Sequence, residues 1–128
     1  MKCLLDTHLL VWATNKPDKL SNEAAVVIDA PENELYFSAV SIWEVAIKQS
    51  LKRSDFTVEA AVLRRGLLEH GYKELPLTSS HSLAVITLPP IHQDPFDRIL
   101  IAQAISENIT LLTSDRRIAQ YPGPIRRV

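Results

Sequence analysis

The chain alternates between short unbroken apolar runs and longer stretches in which apolar residues return every three or four positions. "KCLLD" (Lys2 to Asp6) is a run of the first kind and predicts a buried strand. "THLLVWAT" follows as one or two helical turns, stopped by Asn15-Lys16-Pro17. Ser21 stands where it can cap "NEAAVVIDA", a second helix ending before Pro31. "ELYFSA" reads as a strand bounded by Pro31 and Ser38. In "SIWEVAIKQSLKR" the residues Ile42, Val45, Ala46 and Gln49 share a helical face, and basic residues gather at the end where the helix dipole favours them. Thr57 opens "VEAAVLRRGLLEH", which Gly71 closes. "YKELPL" fits a strand that Pro76 confines to a sheet edge or a strand end. "SSHSLAVITL" is a short helix ahead of Pro89-Pro90, and "PFDRILIAQAISEN" is a longer one. "ITLLTSD" is a second fully buried strand, "DRRIAQY" a short helix, and "PIRRV" a last edge strand.

Strands that alternate with helices predict a doubly wound α/β fold: a mostly parallel sheet of about five strands, helices on both faces and right-handed crossovers. Folds of this class place their sites outside the carboxyl ends of the strands, where the strand order reverses. The length of 128 residues suits one domain, residues 1–128, able to bury about two-thirds of its unfolded surface.

Composition narrows the class. The formal net charge is -1, so no global field draws the chain to nucleic acid, and any phosphate-binding surface must be local. Cys3 is the only cysteine, which excludes a disulfide framework and points to a reducing, cytoplasmic home. The apolar runs are too short to span a bilayer, and Met1-Lys2 leads straight into a strand rather than a signal peptide. No repeat or low-complexity segment is visible.

Four acids then claim attention. Asp6 ends the first strand, Glu44 lies in the first turn of the helix after the second strand, Asp97 lies in the first turn of "PFDRILIAQA", and Asp115 directly follows "ITLLT". Each has an ordinary explanation. Asp6 and Asp115 suit N-caps, Ser41 and Glu44 match a capping box, and in "DPFD" Asp94 caps while Asp97 meets the dipole. Capping does not require the caps to cluster, however, and Ser or Asn would serve at most of these positions. Several carboxylates in one cleft repel, and a hard divalent ion removes that penalty by taking their oxygens as ligands.

"LLDTHLLVW", "SAVSIWEVAIK", "DPFDRILIAQA" and "LLTSD", in this order and spacing, resemble the PIN-domain ribonucleases, in particular the VapC-type toxins of bacterial and archaeal toxin–antitoxin pairs. The similarity spans essentially the whole chain. It implies a PIN-like fold and an endoribonuclease dependent on Mg²⁺ or Mn²⁺, with Asp6, Glu44, Asp97 and Asp115 as the catalytic, metal-holding acids. Thr7 matches the hydroxyl after the first acid, Thr113 and Ser114 match the polar pair before the last, and Asp94 supports the ligands from behind or caps. Many members carry Asn where His8 stands. We read His8 as a polar wall rather than a ligand, because a neutral imidazole competes poorly for Mg²⁺. His70, His81 and His92 show no ligand spacing and read as surface or structural residues.

The resemblance further implies hydrolysis of an RNA phosphodiester to a 5′-phosphate and a 3′-hydroxyl. Arg98 and Arg116 adjoin site acids and are candidate phosphate contacts, with Arg117 next to them; Arg98 could instead pair with Asp94 on the helix surface. "KQSLKR" and "LRRG" read as solvated helix faces. The expected partners are single-stranded or loop RNA, a small antitoxin and a second copy in a homodimer. Trp12, Trp43 and Ile47 are core residues or the lining of the antitoxin groove.

Two other classes compete. A phospho-acceptor signalling domain would need paired acids after the first strand, an acceptor Asp after the third and a Lys after the last. "LLDTH" has one acid, "ELPLTSS" has none, and no suitable lysine follows. A catalytically weak PIN-fold binding or scaffold module would lose acids that this chain retains.

Overall fold

The computed structural model describes residues 1–52 and 55–128. Its elements are β1 (Lys2–Leu5), α1 (Thr7–Asn15), α2 (Asn22–Asp29), β2 (Glu34–Ser38), α3 (Ala39–Ser50), α4 (Ala60–Glu69), β3 (Lys73–Leu75), α5 (Ser79–Ala84), α6 (Pro95–Glu107), β4 (Thr110–Thr113) and β5 (Ile125–Arg127). The strands form one sheet in the order β3-β2-β1-β4-β5, and every pairing is parallel. The order runs outward from β1 through β2 to β3 on one side and through β4 to β5 on the other. The reversal point therefore lies between β1 and β4.

Strand geometry explains why the central runs are apolar throughout. Successive side chains point to opposite faces, so Cys3, Leu5, Phe37 and Leu112 enter one core with α1, α2 and α4 residues such as Leu9, Leu10, Val27, Leu63 and Leu67. Leu4 and Leu111 enter the other with Leu100, Ile101 and Ala104 of α6. A helix layer covers each face, and a strand buried on both sides has no polar face to show. The two predicted edge strands are edges. β3 ends at Leu75, ahead of Pro76, and β5 pairs only with β4.

Local chemistry sets the helix ends. Ser21 and Asp94 cap α2 and α6 with their side-chain oxygens, as predicted, and Pro95 opens α6. After α4, Gly71 takes φ 85°, which lets Tyr72 N–H reach Leu67 O at 3.0 Å.

Three predicted starts differ. α3 begins at Ala39, with Ser38 as its cap, because the last residue of β2 turns directly into helix; its hydroxyl accepts from Val40 N–H at 3.0 Å. Ser41 is therefore inside the helix, no capping box forms there, and Glu44 moves to the second turn. The helix ends at Ser50, and the Arg53 end of the predicted run lies outside the described residues. Thr57 does not open α4: that helix starts at Ala60, whose N–H donates to Gln49 Oε1 at 2.8 Å, a cap supplied by α3. The "DRRIAQY" segment is a single 3-10 turn, Ile118–Gln120, rather than an α-helix.

One side-chain pairing ties the layers together. Gln103, fully buried on α6, accepts from Ser38 Oγ at 2.6 Å and donates to Pro76 O at 3.3 Å. It anchors the start of α3, and through it the position of Glu44.

Candidate functional site: an acidic edge of the sheet

A helix that leads back into a parallel strand runs against that strand, so the start of α6 lies at the same sheet edge as the end of β4. Asp6, Asp97 and Asp115 stand at this edge, and Glu44 stands two turns or less into α3, which leaves it from β2. Asp6 and Asp115 flank the reversal point between β1 and β4.

Asp6 is almost wholly buried, at 3% exposure. It caps α1 through Leu9 N–H at 2.9 Å and accepts a hydrogen bond from Thr113 Oγ1. Burial pushes its carboxyl above the usual range; the bonds from Thr113 and Leu9 oppose this, and the charge of Asp115 adds to it. Thr113 is a two-way link, since its oxygen also accepts Asp115 N–H at 3.0 Å. Asp115 in turn accepts from Arg117 N–H at 2.7 Å and from Ile118 N–H at 3.4 Å; the 3-10 turn that follows has Arg117 at its cap position, so the predicted helix N-cap is a local turn instead. Ser114 is half-buried between these two. Thr7 donates its hydroxyl to Ser41 Oγ at 2.9 Å, which joins the first turns of α1 and α3.

Glu44 is buried, and its two oxygens differ. Oε2 meets Lys48 Nζ at 3.2 Å, whereas Oε1 is buried with no hydrogen-bond partner among the described residues. Such an atom is costly unless a cation or donor meets it. Asp97 is pushed up to about 6, chiefly by burial, with Asp94 and Glu44 adding to the rise and His92 opposing it. Asp94 accepts from Phe96 N–H and Asp97 N–H through Oδ1.

The charge of Asp115 acts on Asp6 and that of Glu44 on Asp97, but among the described residues no three of these four acids bring ligand atoms within 4.8 Å of one another. The tighter group is a different one: His92, Asp94 and Asp97 each bring one candidate ligand atom within 4.8 Å of the others. Sequence reasoning reads His92 as a surface or structural residue, without a link to the acids. It is a buried residue whose Nε2 lies 2.8 Å from Asp97 Oδ2. The visible signal was its place two residues before a capping Asp-Pro, where the chain reverses into the helix. His81 is structural: it is buried, completes a capping box with Thr78 and meets Glu107 at 3.0 Å. His70 is exposed against Gly66 O at 2.7 Å, and His8 is exposed with its ring 6.0 Å from Trp12.

Arg98 pairs with no acid among the described residues. Its guanidinium turns into the fold, donating to the carbonyls of Pro89, His92 and Val85 and to Tyr121 Oη at 3.0 to 3.4 Å. A planar group with five donors suits such a convergence of acceptors, which a surface pair with Asp94 would leave unmet. Arg116 and Arg117 are exposed beside Asp115, and Arg64 and Arg65 are exposed on α4 as the solvated-face reading expects. Trp43 is 58% exposed, edge-on to Phe96 at 5.2 Å, so this ring stands one residue from Glu44 and its neighbour one residue from Asp97. Trp12 and Ile42 pack against the core, and Ile47 is half-buried.

Comparison with known proteins converges on one group. The family model "PIN domain" matches residues 3–124. Ribonuclease VapC22 of Mycobacterium tuberculosis is 30% identical over 122 residues, which is 94% of this chain and 92% of that protein. Among solved structures, VapBC2 from Rickettsia felis, bound to a DNA fragment from their promoter, superposes with a TM-score of 0.73 at 18% identity, covering 99% of this chain and 98% of that one. VapBC-1 from nontypeable Haemophilus influenzae gives 0.62 at 20% identity, with 99% and 98% covered. The parallel sheet, the acids at its carboxyl edge and the match over nearly the whole length agree: the chain belongs to the PIN-domain family.

Proposed function

We propose that this protein is an endoribonuclease dependent on a divalent metal ion, and that it is the toxin of a toxin–antitoxin pair. The observation that carries the nuclease reading is Glu44 Oε1, a buried carboxylate oxygen without a hydrogen-bond partner among the described residues, on an acid whose charge acts on Asp97. Lys48 meets only Oε2, and an Oε1 left without a donor fits a site built to bind a cation. Asp6, Glu44, Asp97 and Asp115 are the residues that would hold the ion, and their all-oxygen donor set suits Mg²⁺ or Mn²⁺. When bound, such an ion offsets the charge of the scissile phosphate and acidifies a water.

The chain's own groups do the positioning. Thr113 and Leu9 N–H fix the rotamer of Asp6. Thr7 holds Ser41 and so ties the helix that carries Glu44 to the one that begins beside Asp6. Arg116, exposed next to Asp115, is the cation we assign to phosphate; Arg98 is occupied inside the fold. Unpaired RNA suits this site, because a phosphate must reach a buried edge and flanking bases must splay away from it.

The toxin role rests on the VapC ribonuclease relative and the VapBC structures that share the fold. Trp43 and Phe96 would then lie under the antitoxin segment, and a second copy would complete a dimer. Inhibition of cleavage by the product of an adjoining short reading frame tests the first point, and solution mass by light scattering tests the second.

Purified protein should degrade single-stranded RNA in millimolar Mg²⁺ and stop in excess EDTA, with activity returning when Mg²⁺ is restored. Clean protein that shows no Mg²⁺-stimulated cleavage would leave a binding module with the PIN fold as the better reading.

A further inference from the structure

We propose that His92 is a positioning residue for Asp97: its imidazole, carried on a main chain that Tyr121 and Arg98 hold, fixes the carboxylate in the orientation that receives the metal ion. The inference rests on the reading of Asp97 as a ligand and goes beyond it by naming what aims that ligand.

His92 is held at its main-chain N–H, its carbonyl and its ring Nε2. Its main-chain N–H donates to Tyr121 Oη at 2.8 Å, and Tyr121 Oη donates back to His92 O at 3.0 Å. Arg98 Nη1 donates to the same carbonyl at 3.4 Å and to Tyr121 Oη at 3.2 Å. The ring itself meets Asp97 Oδ2 at 2.8 Å. A carboxylate only accepts, so with Asp97 ionised the imidazole must carry its proton on Nε2 and donate it. Tyr121 and His92 are both buried, and Tyr121 directly follows the 3-10 turn beyond β4, 29 residues away in sequence.

The arrangement exceeds what the helix needs. Asp94 already satisfies the amides of Phe96 and Asp97 at the start of α6, and Pro95 has no amide to satisfy. The bond from His92 therefore adds nothing to capping. Its effect is on Asp97 alone: it removes rotamer freedom from a carboxylate on the edge of the site and commits one of its two oxygens. Carboxylate ligands are commonly held this way, and loss of such a support typically weakens metal binding about 10- to 100-fold.

Mn²⁺ binding to the RNA-free protein, followed by the electron paramagnetic resonance of free Mn²⁺, tests the inference without reference to activity. His92→Ala should raise the Kd for Mn²⁺ about 10- to 100-fold. His92→Gln keeps bulk and a side-chain donor, and should recover part of that loss. The melting temperature in EDTA distinguishes lost positioning from lost folding, and His92→Gln keeps the test open should the alanine variant fold poorly. An unchanged Kd in His92→Ala overturns the inference. A loss in His92→Gln equal to that in Asp97→Asn also overturns it, since the imidazole would then itself be a ligand. Should Asp97→Asn bind Mn²⁺ as well as the natural chain, the ligand reading fails first, which is a separate and recognisable result.

Discussion

Asp97→Asn should lower RNA cleavage by about 10² to 10³-fold or more, the size of effect seen when one charged or dipolar element of a preorganised site is removed. The same change should stabilise the metal-free protein at neutral pH. Burial raises the Asp97 carboxyl from 3.8 to about 6. In that interval the folded chain binds a proton that the unfolded chain releases, so stability falls as pH rises from about 4 to about 6 and stays reduced above. Two pKa units correspond to about 3 kcal/mol, an upper figure for a side chain that is 19% exposed. Asparagine carries no such charge. In EDTA the variant should melt above the natural chain at pH 7.5, and the gap should shrink toward zero at pH 4. A carboxylate kept at such a cost to the fold is what the metal-ligand reading of Asp97 expects. Thermal melts of both proteins across pH 4 to 8 check the sign, and a gap that widens toward acid would contradict it.

Arg98→Met should unfold the protein at markedly lower denaturant, with a loss of roughly 2 to 4 kcal/mol, because several acceptors lose their donor together and each such loss is worth about 1 to 3 kcal/mol. Arg98→Lys should recover less than half of this. One ammonium on a flexible stem cannot serve Val85, Pro89, His92 and Tyr121 at once. A phosphate-contacting arginine would behave in the opposite way, with stability intact, a raised KM and a shallower dependence on salt. Urea unfolding alongside the salt dependence of KM separates the two.

The sequence disclosed some parts of this structure more readily than others, for identifiable reasons. β1 and β4 were legible as unbroken apolar runs because helices cover both faces of the sheet at those strands. α6 was legible because Asp94-Pro95 is a start signal and a long apolar run follows it. The start of α3 was not: β2 turns into helix with no intervening loop, so Ser38, which reads as the end of the strand, caps the helix in place of Ser41, and its backbone, at φ -83° and ψ 141°, is what decides it. Thr57 looked like a cap because local sequence cannot show that Gln49, eleven residues earlier, already serves Ala60.

The same limit applies at the site. The acids carry a pattern of chain position that a reader can follow, and the structure sets them at one sheet edge. His92, Arg98 and Tyr121 act through bonds that span up to 29 residues, and no local spacing encodes them. Their roles follow from tertiary packing, which turned a presumed surface arginine inward and a presumed bystander histidine onto an acid.

The claim on which the rest depends is that the acidic edge holds a divalent ion through Glu44 as well as the three aspartates. Anomalous scattering from crystals grown with Mn²⁺ measures this directly. One or two peaks are expected among Asp6, Glu44, Asp97 and Asp115, with Glu44 Oε1 within about 2.3 Å of one of them, close to the bond length of a small hard cation. No peak at saturating Mn²⁺, or a single peak held by His92 and Asp94 with Asp6 and Glu44 uninvolved, would contradict it.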